Sequence, residues 1–276
     1  MLTLVVLFNG LIFFVMASCF VSNALYGLLG SLMLTLLFVG AAHTRFIESF
    51  LLWSSGLRPA LSEESSRVDS LFRDLAVKAH LPQPPRLFIA DSSFPNAYAI
   101  GKHAVGMTKG LLEKSTSEEL YGVLAHEFGH LKHGDSSRYA MTRILNIGGI
   151  LSAWVILHVI KFQSYDLLPS SMGWIDATFT GPIAIIYLIL AMIRWYFGAG
   201  FRVVGPREEY RADSFVVEAG GGDGFISFLK RSTNAERSWN RSFWEKISAT
   251  HPPVMHRIDR IKDHMEKRGV QAGGRG

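Results

Sequence analysis

Apolar residues follow two distinct rhythms along this chain. In the first they run on without interruption. Residues 2–22 and 23–44 contain no Asp, Glu, Lys or Arg, and neither do 144–160 and 177–193. Each run is close to the ~20 residues that cross a bilayer as a helix. Four transmembrane helices are the simplest reading, because an uncharged stretch that long has no polar face to turn toward water. Trp154 and His158 interrupt the third run, and Arg194 lies at the end of the fourth. Its neighbours Trp195 and Tyr196 suit an interface where a long cation snorkels to the surface.

The second rhythm is periodic. Over 62–80, Val68, Leu71, Phe72, Leu75 and Val77 alternate with charges, which predicts an amphipathic helix stopped by Pro82, Pro84 and Pro85. Arg86–Ala90 then reads as a short strand. Ala97–Ile100 and His103–Met107 are two further apolar runs, with Gly101-Lys102 as a hairpin turn, so a small sheet is expected. A helix starts at Thr116 or Ser117, where Thr116-Ser117-Glu118-Glu119 fits a capping box. Leu120, Val123, Leu124 and Phe128 supply its buried face, and it is expected to run on toward the third apolar segment. Gly205-Pro206 opens another helix that ends at Gly220, a further one covers about 224–238, and Pro252-Pro253 begins the last. Val254, Ile258, Ile261 and Met265 form its apolar stripe, and Ala272–Gly276 reads as a disordered tail.

These patterns predict an α+β integral membrane protein: four transmembrane helices plus a mainly helical domain with a small β-sheet. The expected divisions are a transmembrane hairpin over 1–44, the first part of a polar domain over 45–142, a second hairpin over 143–200 and the second part of the domain over 201–276. Composition agrees: 49% of residues are hydrophobic and only 18% charged. Lys and Arg concentrate in 45–143 and 194–275. The loop at 161–176 has only Lys161 among Asp166 and Asp176. The positive-inside rule then places both basic segments, and the N-terminus, on the cytoplasmic side. The net charge of +5 suits anionic lipid headgroups. No basic, aromatic-interleaved stripe is present, so nucleic acid is not an expected partner. Cys19 is the only cysteine, which excludes an intrachain disulfide.

The chemistry concentrates in His126-Glu127-Phe128-Gly129-His130. On a helix the two histidines share a face one turn apart and can bind one Zn²⁺. Glu127 projects beside them, where a carboxylate can take a proton from a water polarised by the metal. A catalytic zinc usually has three protein ligands. His133 is not the expected third, because Lys132-His133-Gly134 breaks the spacing at which a third histidine follows in metzincins. Glu209 and Asp213 are better placed, four apart on a predicted helix. One can ligate while the other accepts the free N–H of a ligand imidazole.

His-Glu-Phe-Gly-His with the downstream Glu209-Tyr210-Arg211-Ala212-Asp213 resembles the HtpX heat-shock membrane proteases, gluzincin-type zinc endopeptidases related to the CAAX prenyl proteases. Pro95-Asn96-Ala97-Tyr98-Ala99 is similar to that family's edge-strand motif. Val105–Leu112 resembles the segment after it, and Thr250-His251-Pro252-Pro253 followed by Arg257 resembles its C-terminal His-Pro element. The resemblance implies that His126, His130 and Glu209 bind one Zn²⁺ and that Glu127 is the general base and then acid. It implies that Asp213 orients a ligand histidine and pairs with Arg257, and that His251 donates to the oxyanion. Asn96, Ala97, Tyr98 and Ala99 would grip a protein or peptide substrate as an added β-strand. The implied function is cleavage of misfolded or membrane proteins at the cytoplasmic face of a bacterial-type inner membrane, in stress response. A CAAX-type processing protease and a non-catalytic membrane scaffold or holdase are the alternatives. The sequence carries no signal for oligomeric state.

Overall fold

A computed structural model of the chain describes residues 6–7, 9–14, 24–41, 44–142, 148, 151, 205–236 and 252–273. The chain divides into two compact units. One takes Met1–Thr44 and Met141–Arg202, the other Arg45–Ala140 and Val203–Gly276.

In the first unit, α1 (Ala24–Ala41) is an uncharged helix. It meets residues 9–14 through a stacked Phe13–Phe38 pair, 5.3 Å between ring centroids, and through Ser31, whose Oγ donates to the Gly10 carbonyl at 2.7 Å. Its packing is inverted relative to a helix in water. Ser31 is buried, whereas Leu25, Leu28, Leu32, Met33, Leu36 and Leu37 are exposed. Among the described residues, no helix is long and apolar enough to cross a membrane. At about 1.5 Å per residue the 18 residues of α1 reach ~27 Å, just short of a ~30 Å hydrocarbon core. The predicted spans at 144–160 and 177–193 lie outside the described residues, apart from 148 and 151.

The second unit opens with α2 (Arg45–Ser54) and β1 (Leu57–Pro59), a strand that the sequence pattern does not announce. The helix expected over 62–80 is two helices, α3 (Ser62–Ser66) and α4 (Asp69–Lys78). Phe72, Leu75 and Ala76 make the buried face of α4, with Val68 buried just ahead of it, while Val77 is exposed. The reason is angular: 72, 75 and 76 follow the i, i+3, i+4 rule, and 77 falls ~100° further round. The helix stops before the prolines, with His80 at φ 55 and the Leu81 amide donating back to Ala76.

Strands β2 (Arg86–Ala90), β3 (Ala97–Ile100) and β4 (Ala104–Thr108) complete a mixed sheet in the order β1-β2-β4-β3. β2 and β4 are parallel; β3 returns antiparallel to β4 through the turn at Gly101, whose φ of 60 favours glycine. β4 is fully buried in the middle and β3 lies at an edge. A short helix α5 (Lys109–Lys114) leads to α6 (Ser117–His133), which carries the pentapeptide.

The predicted capping box is present. Thr116 Oγ1 accepts from the Glu119 amide, and the Glu119 carboxylate accepts from the Thr116 amide. Leu120, Val123, Leu124 and Phe128 are all buried. The helix does not run on, however. Gly134 adopts the left-handed conformation (φ 69), ends α6 and redirects the chain into a new helical stretch over 135–142.

Three more helices pack on α6 or on one another. They are α7 (Pro206–Ala219), started by Pro206 and ended by Gly220 at φ 87; α8 (Gly222–Glu236); and α9 (Val254–Gly273). Ile258 and Ile261 of α9 are buried, as its stripe predicts, and the helix takes in Ala272 and Gly273 of the expected tail. Glycine decides how closely α6 is approached. A Cβ on Gly129 would lie 2.8 Å from Ala212 Cα of α7, and one on Gly122 would lie 2.5 Å from the Phe225 amide of α8.

Candidate metal and proton-transfer site

The contact at Gly129 brings the two polar helices together face to face. His126 and His130 project from α6 and Glu209 and Asp213 from α7. All four are buried, Glu209 completely. Such burial is rare for these residue types unless they are paired or ligate a metal. His126 Nε2 lies 3.2 Å from His130 Nε2. The Glu209 carboxylate lies 3.4 Å from the first and 3.7 Å from the second. Four-coordinate zinc with nitrogen and oxygen ligands at about 2.0–2.1 Å sets its donor atoms roughly 3.3 Å apart, so the three donors present here fit such an ion. Among the described residues they are the one cluster of His, Cys, Asp or Glu able to hold a metal.

Each imidazole is held from behind. His126 Nδ1 lies 3.0 Å from Asp213 Oδ1. Arg257 of α9, also buried, grips the same carboxylate twice, Nη2 to Oδ1 at 2.7 Å and Nε to Oδ2 at 3.0 Å, and its Nη1 is 3.4 Å from Glu209. His130 Nδ1 lies 3.3 Å from Asp135 Oδ2. Both Nδ1 atoms lie against aspartates, so both Nε2 atoms face Glu209. Three electron-pair donors converging on one point repel unless a cation shares it.

The electrostatics follow from this crowding. Burial and the Arg257 charge oppose protonation of His126, but Asp213 and Glu209 outweigh them and lift its pKa to about 9. Burial alone would raise Asp213, yet Arg257 and His126 hold its carboxyl below the usual range. Asp135 is likewise lowered, with His130 and two arginines overcoming its burial. Burial disfavours the Arg257 charge and Asp213 more than restores it, so its pKa is raised.

Glu127 also faces this site. Its Oε2 accepts the Ala99 amide of β3 at 2.7 Å, which ties the pentapeptide helix to the sheet edge. Ala97 turns its amide to the Asn96 side chain at 2.9 Å, while Tyr98 is exposed. The amides of Ala97 and Ala99 therefore point away from β4, along the edge that runs past Glu127. His251 lies outside the described residues. Two participants have no counterpart in the sequence reading. Asp135 sits five residues beyond His130, masked by the change of chain direction at Gly134. Phe225 of α8 stacks on the His126 ring at 5.1 Å and lies under the Arg257 guanidinium at 5.3 Å. Nothing in its local sequence marks it, since its place depends on the close approach at Gly122.

Residues 62–265 match the model of peptidase family M48. Similar proteins include a protease HtpX homologue of Thermoanaerobacter pseudethanolicus, 29% identical over 91% of this chain and 90% of the relative. One from Pelotomaculum thermopropionicum is 30% identical over 74% and 78%, and one from Tropheryma whipplei is 28% identical over 76% of each.

Proposed function

The chain belongs to peptidase family M48, as a metallopeptidase of the HtpX type, and from that premise we propose that it is an integral-membrane zinc endopeptidase acting on misfolded or membrane proteins at the cytoplasmic face. The observation that carries the reading is the buried, three-donor cluster on two helices with the Glu127 carboxylate held beside it.

His126, His130 and Glu209 would hold one zinc ion per chain, which when bound supplies Lewis-acid polarisation of water and of the scissile carbonyl. The protein's own groups do the rest. Asp213 and Arg257 lock His126 so that Nε2 points inward, which spares the site reorganisation when a metal is taken up. The Ala99 amide holds one Glu127 oxygen and leaves the other to take a proton from the attacking water and return it to the leaving amine. The edge of β3, over Asn96, Ala97, Tyr98 and Ala99, would take an extended substrate through the outward carbonyls of Ala97 and Ala99, whose amides are held by Asn96 and Glu127. Recognition of backbone gives broad specificity. His251, next to Pro252-Pro253 in the sequence, would donate to the oxyanion as the peptide carbonyl is attacked.

The membrane assignment is supported by the inverted α1, with its serine inside and its leucines outside, and by the uncharged first 44 residues. The basic balance of the remaining segments supports the cytoplasmic orientation and contact with anionic lipids.

The test uses detergent-purified full-length protein. It should contain stoichiometric zinc and cleave an unfolded protein such as casein. Chelator should abolish cleavage and zinc should restore it. Glu127→Gln should keep the metal and lose at least a hundredfold in turnover. Cleavage indifferent to chelator, or full activity in Glu127→Gln, overturns the proposal.

A further inference from the structure

Asp135 is buried at 5% exposure, and nothing in the proposed chemistry calls for it. Its two carboxylate oxygens have separate tasks. Oδ2 meets His130 Nδ1 at 3.3 Å. Oδ1 takes Arg138, one turn onward in the chain, and Arg211 Nη2 of α7 at 2.7 Å. Arg211 lies two residues from Glu209 on that helix. We propose that Asp135 is a positioning residue for the metal ligand His130, and that Arg211 couples it to the helix carrying Glu209. The inference rests on the metallopeptidase reading of the same cluster.

Three observations lead to it. First, the arrangement repeats the one around His126. There an aspartate meets Nδ1 of a histidine and its charge is balanced by an arginine from another helix; here Asp135 does the same with Arg211. Both units turn Nε2 toward the same point, 3.2 Å from each other. The two rings stand nearly perpendicular, at 85°, and each Nδ1 meets its own aspartate.

Second, Gly134 explains how Asp135 gets there. A residue five positions past His130 on a continuous helix would be rotated well off its face. The left-handed Gly134 breaks the helix and swings Asp135 back beneath the ring. A side chain at Gly134 would meet open space, so the glycine serves the turn and not the packing.

Third, the bland alternative is that Asp135 caps the helical stretch it opens. Among the described residues, however, its carboxylate partners are the side chains of His130, Arg138 and Arg211 and not the amides of that first turn. Two arginines, both partly exposed, lie against the other oxygen of the buried carboxylate. Ionised, it accepts the Nδ1 proton and leaves the Nε2 lone pair for the metal.

The experiment compares Asp135→Asn, which keeps the side chain's size but not its charge, with Asp135→Ala. Each is made in the full-length chain and purified in detergent. Zn²⁺ affinity is measured by competition with a chromophoric chelator, the ligand field by the absorption bands of the Co²⁺ form, and the fold by melting of the metal-free protein. Removing such a supporting acceptor typically weakens metal binding about 10–100-fold. That loss is expected for Asp135→Ala, with a severalfold loss for Asp135→Asn. The Co²⁺ bands should shift in both, kcat should fall more than KM rises, and the metal-free melting temperature of Asp135→Asn should change little. An Asp135→Asn protein with wild-type zinc affinity and wild-type Co²⁺ bands overturns the inference, whether or not Asp135→Ala folds. Lowered metal-free melting with unchanged zinc affinity assigns Asp135 a structural role and overturns it too. Wild-type protein that takes up no zinc removes the underlying metallopeptidase reading, a result distinguishable from either of the others.

Discussion

The two halves of the candidate metal site use one device at two depths. Around His126, Asp213 and Arg257 are both almost wholly buried, and Phe225 closes over the ring. Around His130, Asp135 is as deeply buried, but its partners Arg211 and Arg138 keep about 45% of their side chains in solvent. The difference is one of desolvation. A buried guanidinium that loses its carboxylate has no water to turn to, whereas a half-exposed one rehydrates. The His126 half should therefore be structural as well as functional, and the His130 half should be adjustable.

The largest effect should come from Asp213→Ala. It removes the two-point carboxylate partner of Arg257, leaving the longer contact to Glu209, and releases His126, and breaking a buried pair in this way costs about 3–5 kcal/mol. Chemical denaturation of the metal-free protein should show that loss. A metal-free stability equal to wild type would erase the distinction between the halves.

Next is Gly129→Ala, which affects both halves together. The added methyl would come 2.8 Å from Ala212 Cα, so α6 and α7 must separate. Overpacking of this kind costs about 1–3 kcal/mol, and zinc affinity should fall with it because the ligands sit on both helices. Unchanged affinity would mean that helix spacing does not set the donor distances.

Arg211→Met should do less than Arg257→Met. The partly exposed ion pair it removes is worth up to about 1 kcal/mol, and its effect on zinc affinity should shrink as salt is added. A salt-independent loss as large as that of Arg257→Met would show the two halves to be equivalent.

The smallest effect lies away from the site, where Arg58 holds Glu64 and lowers its pKa from 4.5 to about 2. A depressed carboxyl contributes stability that is present above its unfolded pKa and is lost as pH falls through the folded one. Glu64→Gln should therefore lower the melting temperature modestly near neutrality. The gap to wild type should close between about pH 4.5 and 2. A gap that persists at pH 2 would assign the effect to packing.

Much of the second unit was legible because its signals are local. Thr116 and Glu119 cap α6, Pro206 and Gly220 bound α7, and the spacing of His126 and His130 sets a shared face. The strands at 86–90, 97–100 and 104–108 follow short apolar runs between turn residues. What was missed depends on direction changes and on neighbours distant in sequence. β1 is three residues long and forms against β2. Val77 belongs to an apolar pattern but misses the buried face by one residue's rotation. Asp135 reads as a polar residue after a glycine, until the turn at Gly134 returns it to His130.

By itself, then, the sequence determined the candidate residues for the chemistry and the helices that carry them, since capping, periodicity and i, i+4 spacing act within a few residues. It also set the contrast between uncharged and charged segments, which follows from side-chain hydration alone. The tertiary structure decided which groups meet. The contact at Gly129 places Glu209 against two histidines some eighty residues away. The sheet order leaves β3 at the edge where its Ala99 amide holds Glu127. Two separate arginines balance the aspartates behind the imidazoles. These depend on how closely helices approach and on what burial costs each charge, quantities that exist only once the chain has folded.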